Sequence, residues 1–205
     1  MLFAFLLKGL AIGVAIAAPL GPIGVLCIRR SLLEGRRLGF VTGLGAATAD
    51  ALYGCVAAFG LTAISGALVG LRAWLALAGG VFLCGLGVRT FLSTPATQAV
   101  PAQGRGLLPA YLSTVFLTLT NPMTLLSFVA VFAGLGLGAA PDYLAAGAWV
   151  SGVFIGSALW WLLLSSGASS LQSRLGPDGA RALNRVSGCI ICAFGIYSLS
   201  TAWSR

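Results

Sequence analysis

Long apolar runs alternate along this chain with short clusters of charged residues, and the runs approach or exceed the ~20 residues a helix needs to cross ~30 Å of hydrocarbon. The pattern predicts six membrane-spanning helices, over residues 9–28, 39–64, 73–92, 107–135, 143–166 and 186–203. The first run is interrupted at Ala18-Pro19-Leu20-Gly21-Pro22-Ile23-Gly24. A proline in a helix interior removes a hydrogen bond and clashes with the preceding turn, at ~3 kcal/mol, so this stretch predicts a broken helix. The fourth run is interrupted by Thr118-Leu119-Thr120-Asn121-Pro122, where Thr120 and Asn121 offer side-chain partners to the backbone groups that proline frees.

With three spans in each half, the halves enter the membrane in opposite directions, and each interruption falls in the first span of its half. This is the pattern of an inverted repeat, whose broken helices mark a midplane site in secondary transporters. The expected fold is therefore an all-α integral membrane protein of six transmembrane helices in two inverted three-helix repeats, with helices 1 and 4 broken. A single domain is expected over residues 1–205, with repeat one at about 1–92, a linker at about 93–106 and repeat two at about 107–205. Because lipid offers no partner to freed amides and carbonyls, they must turn to neighbouring helices or a polar cavity. Pro19, Gly21, Pro22 and Gly24, with Thr120, Asn121 and Pro122, are accordingly the candidate substrate-binding residues.

Asp50 is the only charged residue well inside an apolar run. An aspartate at a helix centre costs ~2.5–3.5 kcal/mol on insertion scales, so it is expected to face the bundle interior or a wet cavity, as the ion-coupling group. At ~100° per residue, Gly39, Gly43, Ala46, Tyr53 and Gly54 fall within about 60° of it, a small and polar face. Gly39, Gly43, Tyr53 and Gly54 are read as helix packing around the site. Gly152 and Gly156 repeat the theme in the fifth run at GxxxG spacing. Counting from Pro122 the distance that separates Pro22 from Asp50 gives Val150, beside Ser151, so the second half has no counterpart acid.

A composition of 59% hydrophobic and 8% charged residues excludes an ordinary soluble domain. The first eighteen residues resemble a signal peptide, yet Lys8 lies inside the apolar run and 9–28 is long enough to span, so the segment is expected to stay. The net charge of +8 would suggest nucleic acid in a soluble protein. Here its distribution points elsewhere. Alternating sides of the spans, Arg29, Arg30, Arg36, Arg37, Arg89, Arg105, Arg174, Arg181 and Arg185 share one side, against Lys8, Arg72 and Arg205 on the other. The positive-inside rule makes the arginine-rich side cytoplasmic and puts both termini outside, with Trp74 and Trp203 near the outer interface. Glu34, in the first cytoplasmic connector, is placed at helical spacing to pair with Arg30 or Arg37 in a solvated hairpin.

No Walker loop, GxSxG elbow or HExxH occurs, which argues against an ATP-driven pump and the familiar hydrolases. Cys189-Ile190-Ile191-Cys192 has redox or metal spacing, but it lies in an apolar run without His, Asp or Glu nearby and reads as packing. Cys27, Cys55 and Cys84 are isolated and read likewise. No enzymatic activity, metal site or cofactor is expected.

Pro19-Leu20-Gly21-Pro22, the basic turn Glu34-Gly35-Arg36-Arg37, the run from Gly39 to Gly54 with Asp50 inside it, and Asn121-Pro122 together resemble the LysE/RhtB (lysine exporter) superfamily of amino-acid translocators. The resemblance covers nearly the whole chain in length, span count and motif order. It implies a secondary active exporter of amino acids or related small metabolites in the bacterial inner membrane, coupled to the proton or another ion gradient. Two positions depart from the family pattern. Ile23-Gly24 stands where Gln or Asn often follows the first motif, and Met123 where Lys often follows Asn-Pro. Both remove polar side chains beside the site, which weakens the case for a lysine or arginine substrate.

The expected partners are the small-molecule substrate, protons or another coupling ion and the bilayer, with no nucleic acid; a homodimer is left open. Two alternatives belong to other classes. A soft-metal exporter is kept open by the five cysteines. A transmembrane thiol-disulfide conduit would need a reactive cysteine in each broken helix, and the fourth run has none.

Overall fold

The computed structural model describes residues 2–19, 21–58, 71–93, 106–121, 124, 128, 143–171, 173 and 176–203, and the regular elements among them are helices. In chain order these are α1 (Leu2–Ala17), α2 (Pro22–Leu33), α3 (Arg36–Ala58), α4 (Arg72–Leu92), α5 (Leu107–Thr120), α6 (Tyr143–Ser170) and α7 (Pro177–Trp203). Helices α4, α6 and α7 are each long and apolar enough to cross a bilayer, and α1 and α2, bent by 83° at the break between them, are together long and apolar enough for a further candidate span. The chain is thus an all-α multi-pass membrane protein.

Some boundaries differ from the sequence expectation. Helix α1 starts at Leu2 rather than residue 9 and carries Lys8 on an exposed face, its ammonium 5.8 Å from the centroid of the Phe5 ring. A long stem lets the charge reach polar surroundings, so Lys8 does not end the helix. Helix α7 starts at Pro177, because its first turns are two-faced, with Ala180 and Asn184 buried while Arg181 and Arg185 stay exposed. The second part of the expected fourth span lies outside the described residues except for Thr124 and Phe128.

Large apolar side chains point outward, among them Phe3, Trp74, Val81, Leu112, Leu163 and Ile196, while Thr42, Asp50, Thr114, Ser157, Asn184 and Ser198 are buried. Lipid is as apolar as leucine, so nothing drives leucine inward. Close packing and interhelical hydrogen bonds hold such a bundle together. Helix α3 sits at its centre, against α2, α5 and α6, with Thr42, Gly43, Gly45, Ala46, Ala47, Ala49 and Asp50 all buried. Being screened from lipid, it tolerates the polar residues that lower its hydropathy.

Two glycine-lined seams set the pairings. Gly9 and Gly13 of α1 lie against the carbonyls of Trp149 and Val153 on α6, and Gly152 and Gly156 lie in return against those of Leu6 and Leu10. Gly80 and Gly87 of α4 face Gly195 and Gly188 of α7 in the same reciprocal way, and the Ser198 hydroxyl donates to the Ala76 carbonyl at 2.9 Å. Without a Cβ the backbones come close enough for dispersion and weak Cα–H···O contacts to accumulate.

Among the described residues, Arg29, Arg30, Arg36, Arg37, Arg89, Arg181 and Arg185 lie toward one end of the bundle, and Arg72, at the start of α4, toward the other. Arg29 of α2 reaches Ser93 at the close of α4 and Asn184 in the opening turns of α7, and Arg30 reaches Ala110 at the opening of α5. The ends of α2 and α4 therefore share a side with the beginnings of α3, α5 and α7.

A methyl group at Gly156 would run into the Leu10 carbonyl, whereas one at Gly85 would meet open space. Gly156→Ala is expected to destabilise the protein by about 1–3 kcal/mol. Gly85→Ala is expected to be neutral or stabilising by up to about 1 kcal/mol. The fraction remaining monodisperse in detergent after graded heating checks both.

Candidate functional site

Helix α1 stops at Ala17 because Ala18 precedes Pro19, and the residue before a proline is pushed out of helical geometry. The chain restarts with Gly21 as an extended N-cap (φ −94°, ψ −166°) and Pro22 in the first position of α2, where its missing N–H would have had no helical acceptor anyway. Within the gap the Ala18 amide donates to the Val14 carbonyl and the Gly21 amide to the Pro19 carbonyl, each at 2.9 Å. The interruption read from the two prolines is real and sharp.

Helix α5 ends at Thr120, and Asn121 leaves the helix with φ −79° and ψ 112°. Pro122, assigned to the site from the sequence, lies outside the described residues. The Tyr53 hydroxyl of α3 donates to the Leu119 carbonyl at 2.7 Å, taking up one acceptor that the end of α5 leaves without a helical donor. Thr118 and Thr120 turn their hydroxyls back onto their own helix, at the carbonyls of Thr114 (2.9 Å) and Phe116 (2.8 Å).

Between these two helix ends lies a cavity of about 60 Å³, room for a few waters. Pro19, Gly21, Pro22, Gly24, Asn121 and Asp50 all line it, together with Ile16, Ala17, Ile23, Ala46, Thr118, Thr124 and Trp161. Thr120 does not. It faces a smaller cavity of about 20 Å³ on the other side of Pro22 and Asn121, among Gly79, Leu83, Leu117, Phe194, Tyr197 and Ser198.

Asp50 is 3% exposed. Its Oδ2 accepts a hydrogen bond from the Ser157 hydroxyl at 2.7 Å, and Ser157 accepts one from the Trp161 indole N–H at 3.1 Å. Ser157 was not among the residues singled out from the sequence; it lies about two turns beyond Val150, the position equivalent to Asp50 in the second half. The available signal was local: Ser157 follows Gly156 and sits one turn before Trp161, on the face that packs against α3.

The glycine face divides. Gly43 lies against the Trp161 side chain and Gly54 against Trp149, Val150 and Val153, so both hold α3 to α6 beside the acid. Gly39 lies against Ser31 of α2 instead, about 16 Å along α3 from Asp50. Glu34 pairs with Arg29 at 3.2 Å rather than with Arg30 or Arg37, because α2 ends at Leu33 and Glu34 has left helical spacing. The cysteine thiols are free: Cys27 donates to the Gly39 carbonyl at 3.3 Å, Cys192 sits 3.7 Å from the Cys84 carbonyl, and Cys189 is exposed.

Electrostatically the cavity joins unlike ends. The first turn of α2, with Ile23 and Gly24, presents the positive end of a helix dipole, and the last turn of α5 presents a negative end beside the Asp50 carboxyl. Donors on one wall and acceptors on the other suit a small molecule bearing both an anionic and a cationic group.

Ser157→Ala would leave the Trp161 N–H and one oxygen of Asp50 without their buried partner. A loss of stability of about 1–3 kcal/mol is expected. Heating curves of the detergent-extracted variant measure it.

The sequence profile of one family, described as LysE type translocator, matches residues 14–201. The chain is 27% identical over 197 residues to the "Putative amino acid efflux protein YcgF" of Bacillus subtilis (strain 168), covering 93% of each protein. It is 29% identical over 174 residues to the "Uncharacterized membrane protein YahN" of Escherichia coli (strain K12), covering 82% of this chain and 77% of that one. No solved structure matches.

Proposed function

The chain belongs to the LysE type translocators, and on that premise we propose that it exports amino acids or related small metabolites across the bacterial inner membrane, driven by the proton gradient or another ion gradient. The observation that carries this reading is the cavity at the broken first helix, where the start of α2, the end of α5 and the buried Asp50 converge. The family membership and the efflux named for the Bacillus relative support it from outside.

In this reading the amides of the first turn of α2 receive the substrate carboxylate, while Asp50 and the carbonyl end of α5 receive its ammonium. Pro19, Gly21, Pro22, Gly24 and Asn121 shape the wall, and Thr120 supports it from behind; Pro122, outside the described residues, is assigned to the site from the sequence alone. Asp50 is the coupling group: a carboxyl that alternates between a dry and a wet environment takes up and releases a proton with the cycle. Moving one charge through 100 mV supplies ~2.3 kcal/mol, enough for a roughly fifty-fold gradient of a neutral zwitterion. One proton inward per molecule outward is a sufficient stoichiometry.

Two inverted repeats suit the helix pairings. Exchanging α1 with α5, α3 with α6 and α4 with α7 converts the α1–α6 pairing into the α5–α3 pairing and returns the α3–α6 and α4–α7 pairings to themselves. We place the arginine-bearing end in the cytoplasm and both termini outside.

Counterflow in proteoliposomes over a panel of amino acids, with and without an imposed pH gradient, tests the reading. Asp50→Asn is expected to remain folded and to lose gradient-driven export. A normal export rate in that variant would sink the coupling assignment, and absence of counterflow for every amino acid and analogue would sink the substrate class.

A further inference from the structure

Helix α2 is a twelve-residue rod with a joint at each end. Before it lies the break at residues 18–21, and after it the turn at Gly35, whose φ of +96° suits glycine and strains other residues. Its C-terminal half carries Arg29 and, in the last turn, Arg30, and these side chains fasten it to four other helices. Arg29 donates to Asn184 of α7 (2.7 Å) and to Ser93, the C-cap of α4 (3.2 Å), while Asn184 donates in turn to the Ser93 carbonyl (3.0 Å). Arg30 donates to Thr42 of α3 (2.8 Å) and to the Ala110 carbonyl of α5 (3.3 Å).

Three features set this cluster apart from ordinary packing. Its acceptors are neutral except Glu34, so water can replace each bond without stranding a counter-charge. Arg30, one turn after the fully buried Cys27, closes one end of the face of α2 that leads to Ile23 and Gly24 in the cavity wall, while Arg29 ties the opposite face to α4 and α7. And the α2–α3 seam along that face is small and polar, with Gly39 against Ser31 and the Cys27 thiol on the Gly39 carbonyl, contacts that can part and re-form.

We propose that Arg29 and Arg30 are a latch: they hold the end of α2 against α3, α4, α5 and α7, and their release swings α2 on its two joints to open a water-filled path past Cys27 to the Asp50 cavity. The purpose of that path rests on the transport reading above, which places this end in the cytoplasm; the motion is measured without any substrate. Gly39, too distant to shape the cavity, belongs to the surface on which α2 moves.

Cys27 supplies the probe. With Cys55, Cys84, Cys189 and Cys192 replaced by alanine, its modification by a membrane-impermeant sulfonated maleimide is followed in vesicles of both orientations. Slow modification is expected with both arginines present. In Arg29→Gln/Arg30→Gln the rate is expected to rise at least ten-fold from the arginine-bearing face alone, with the variant still monodisperse after extraction. Should the double variant fail to fold, Thr42→Ala together with Asn184→Ala removes the shortest bond of each arginine from the acceptor side and is expected to raise the rate in the same direction, from the same face. An unchanged rate in a folded variant overturns the latch, as does an equal rise from both faces, which is general loosening. Failure of all these variants to fold also overturns it, because the cluster is then a folding requirement. If Cys27 opens as expected while no substrate gives counterflow, the latch stands and the transport reading falls; if counterflow is intact and Cys27 stays protected in the folded variant, the latch falls alone.

Discussion

A backbone amide or carbonyl in hydrocarbon has no water to turn to, and this constraint shapes the molecule more than any single contact. An unbroken helix satisfies it internally. A helix interrupted at residues 18–21 cannot, so the interruption has to be enclosed by other parts of the chain. The structure encloses it with α3, α5 and α6, and the enclosure is the cavity. The Tyr53 hydroxyl on the Leu119 carbonyl shows the same rule at the end of α5, with a side chain of the central helix supplying the missing donor.

Enclosure in turn requires helices to approach closely where no hydrophobic effect pushes them together. Reciprocal glycines bring α1 onto α6 and α4 onto α7 with carbonyls lying where side chains would otherwise stand. These seams fix the outer helices and leave α3 surrounded. A surrounded helix can carry an aspartate, threonines and a tyrosine that would be costly against lipid. Polarity at the centre and rigidity at the flanks thus have one origin in the distribution of small residues.

Helix α2 stands apart from that rigidity. It is short, jointed at both ends and secured at its far end by charge-assisted hydrogen bonds, with a single glycine, Gly39, against it rather than a reciprocal glycine pair. Its near end forms a wall of the cavity. One element therefore links the arginine-bearing end of the bundle with the cavity that Asp50 lines, Arg30 lying about 12 Å along its axis from Pro22.

The sequence alone determined the membrane class, the position of the first break, the end of α5 and the singular acid. Each of these is written locally: hydropathy belongs to a run, a proline acts on its own turn, and the cost of burying Asp50 follows from its place inside an apolar stretch. The face of α3 was legible as small and polar, since helical periodicity is also local. Which side chain meets Asp50 was not legible. The partner is Ser157, and which residue of α6 stands there depends on how far α6 is shifted against α3, a shift set by the seams that Gly152 and Gly156 form with α1 and Gly43 and Gly54 with α6. Thr120 and Gly39 moved away from the site for the same reason: their faces were predictable, while the neighbour opposite each face was not. Arg29 read as part of a solvated connector and is instead a partly buried tie to α4 and α7, bridging residues 64 and 155 positions apart in the chain. Hydrogen bonds across such separations are decided by tertiary packing, because only the assembled bundle fixes the distance between their ends.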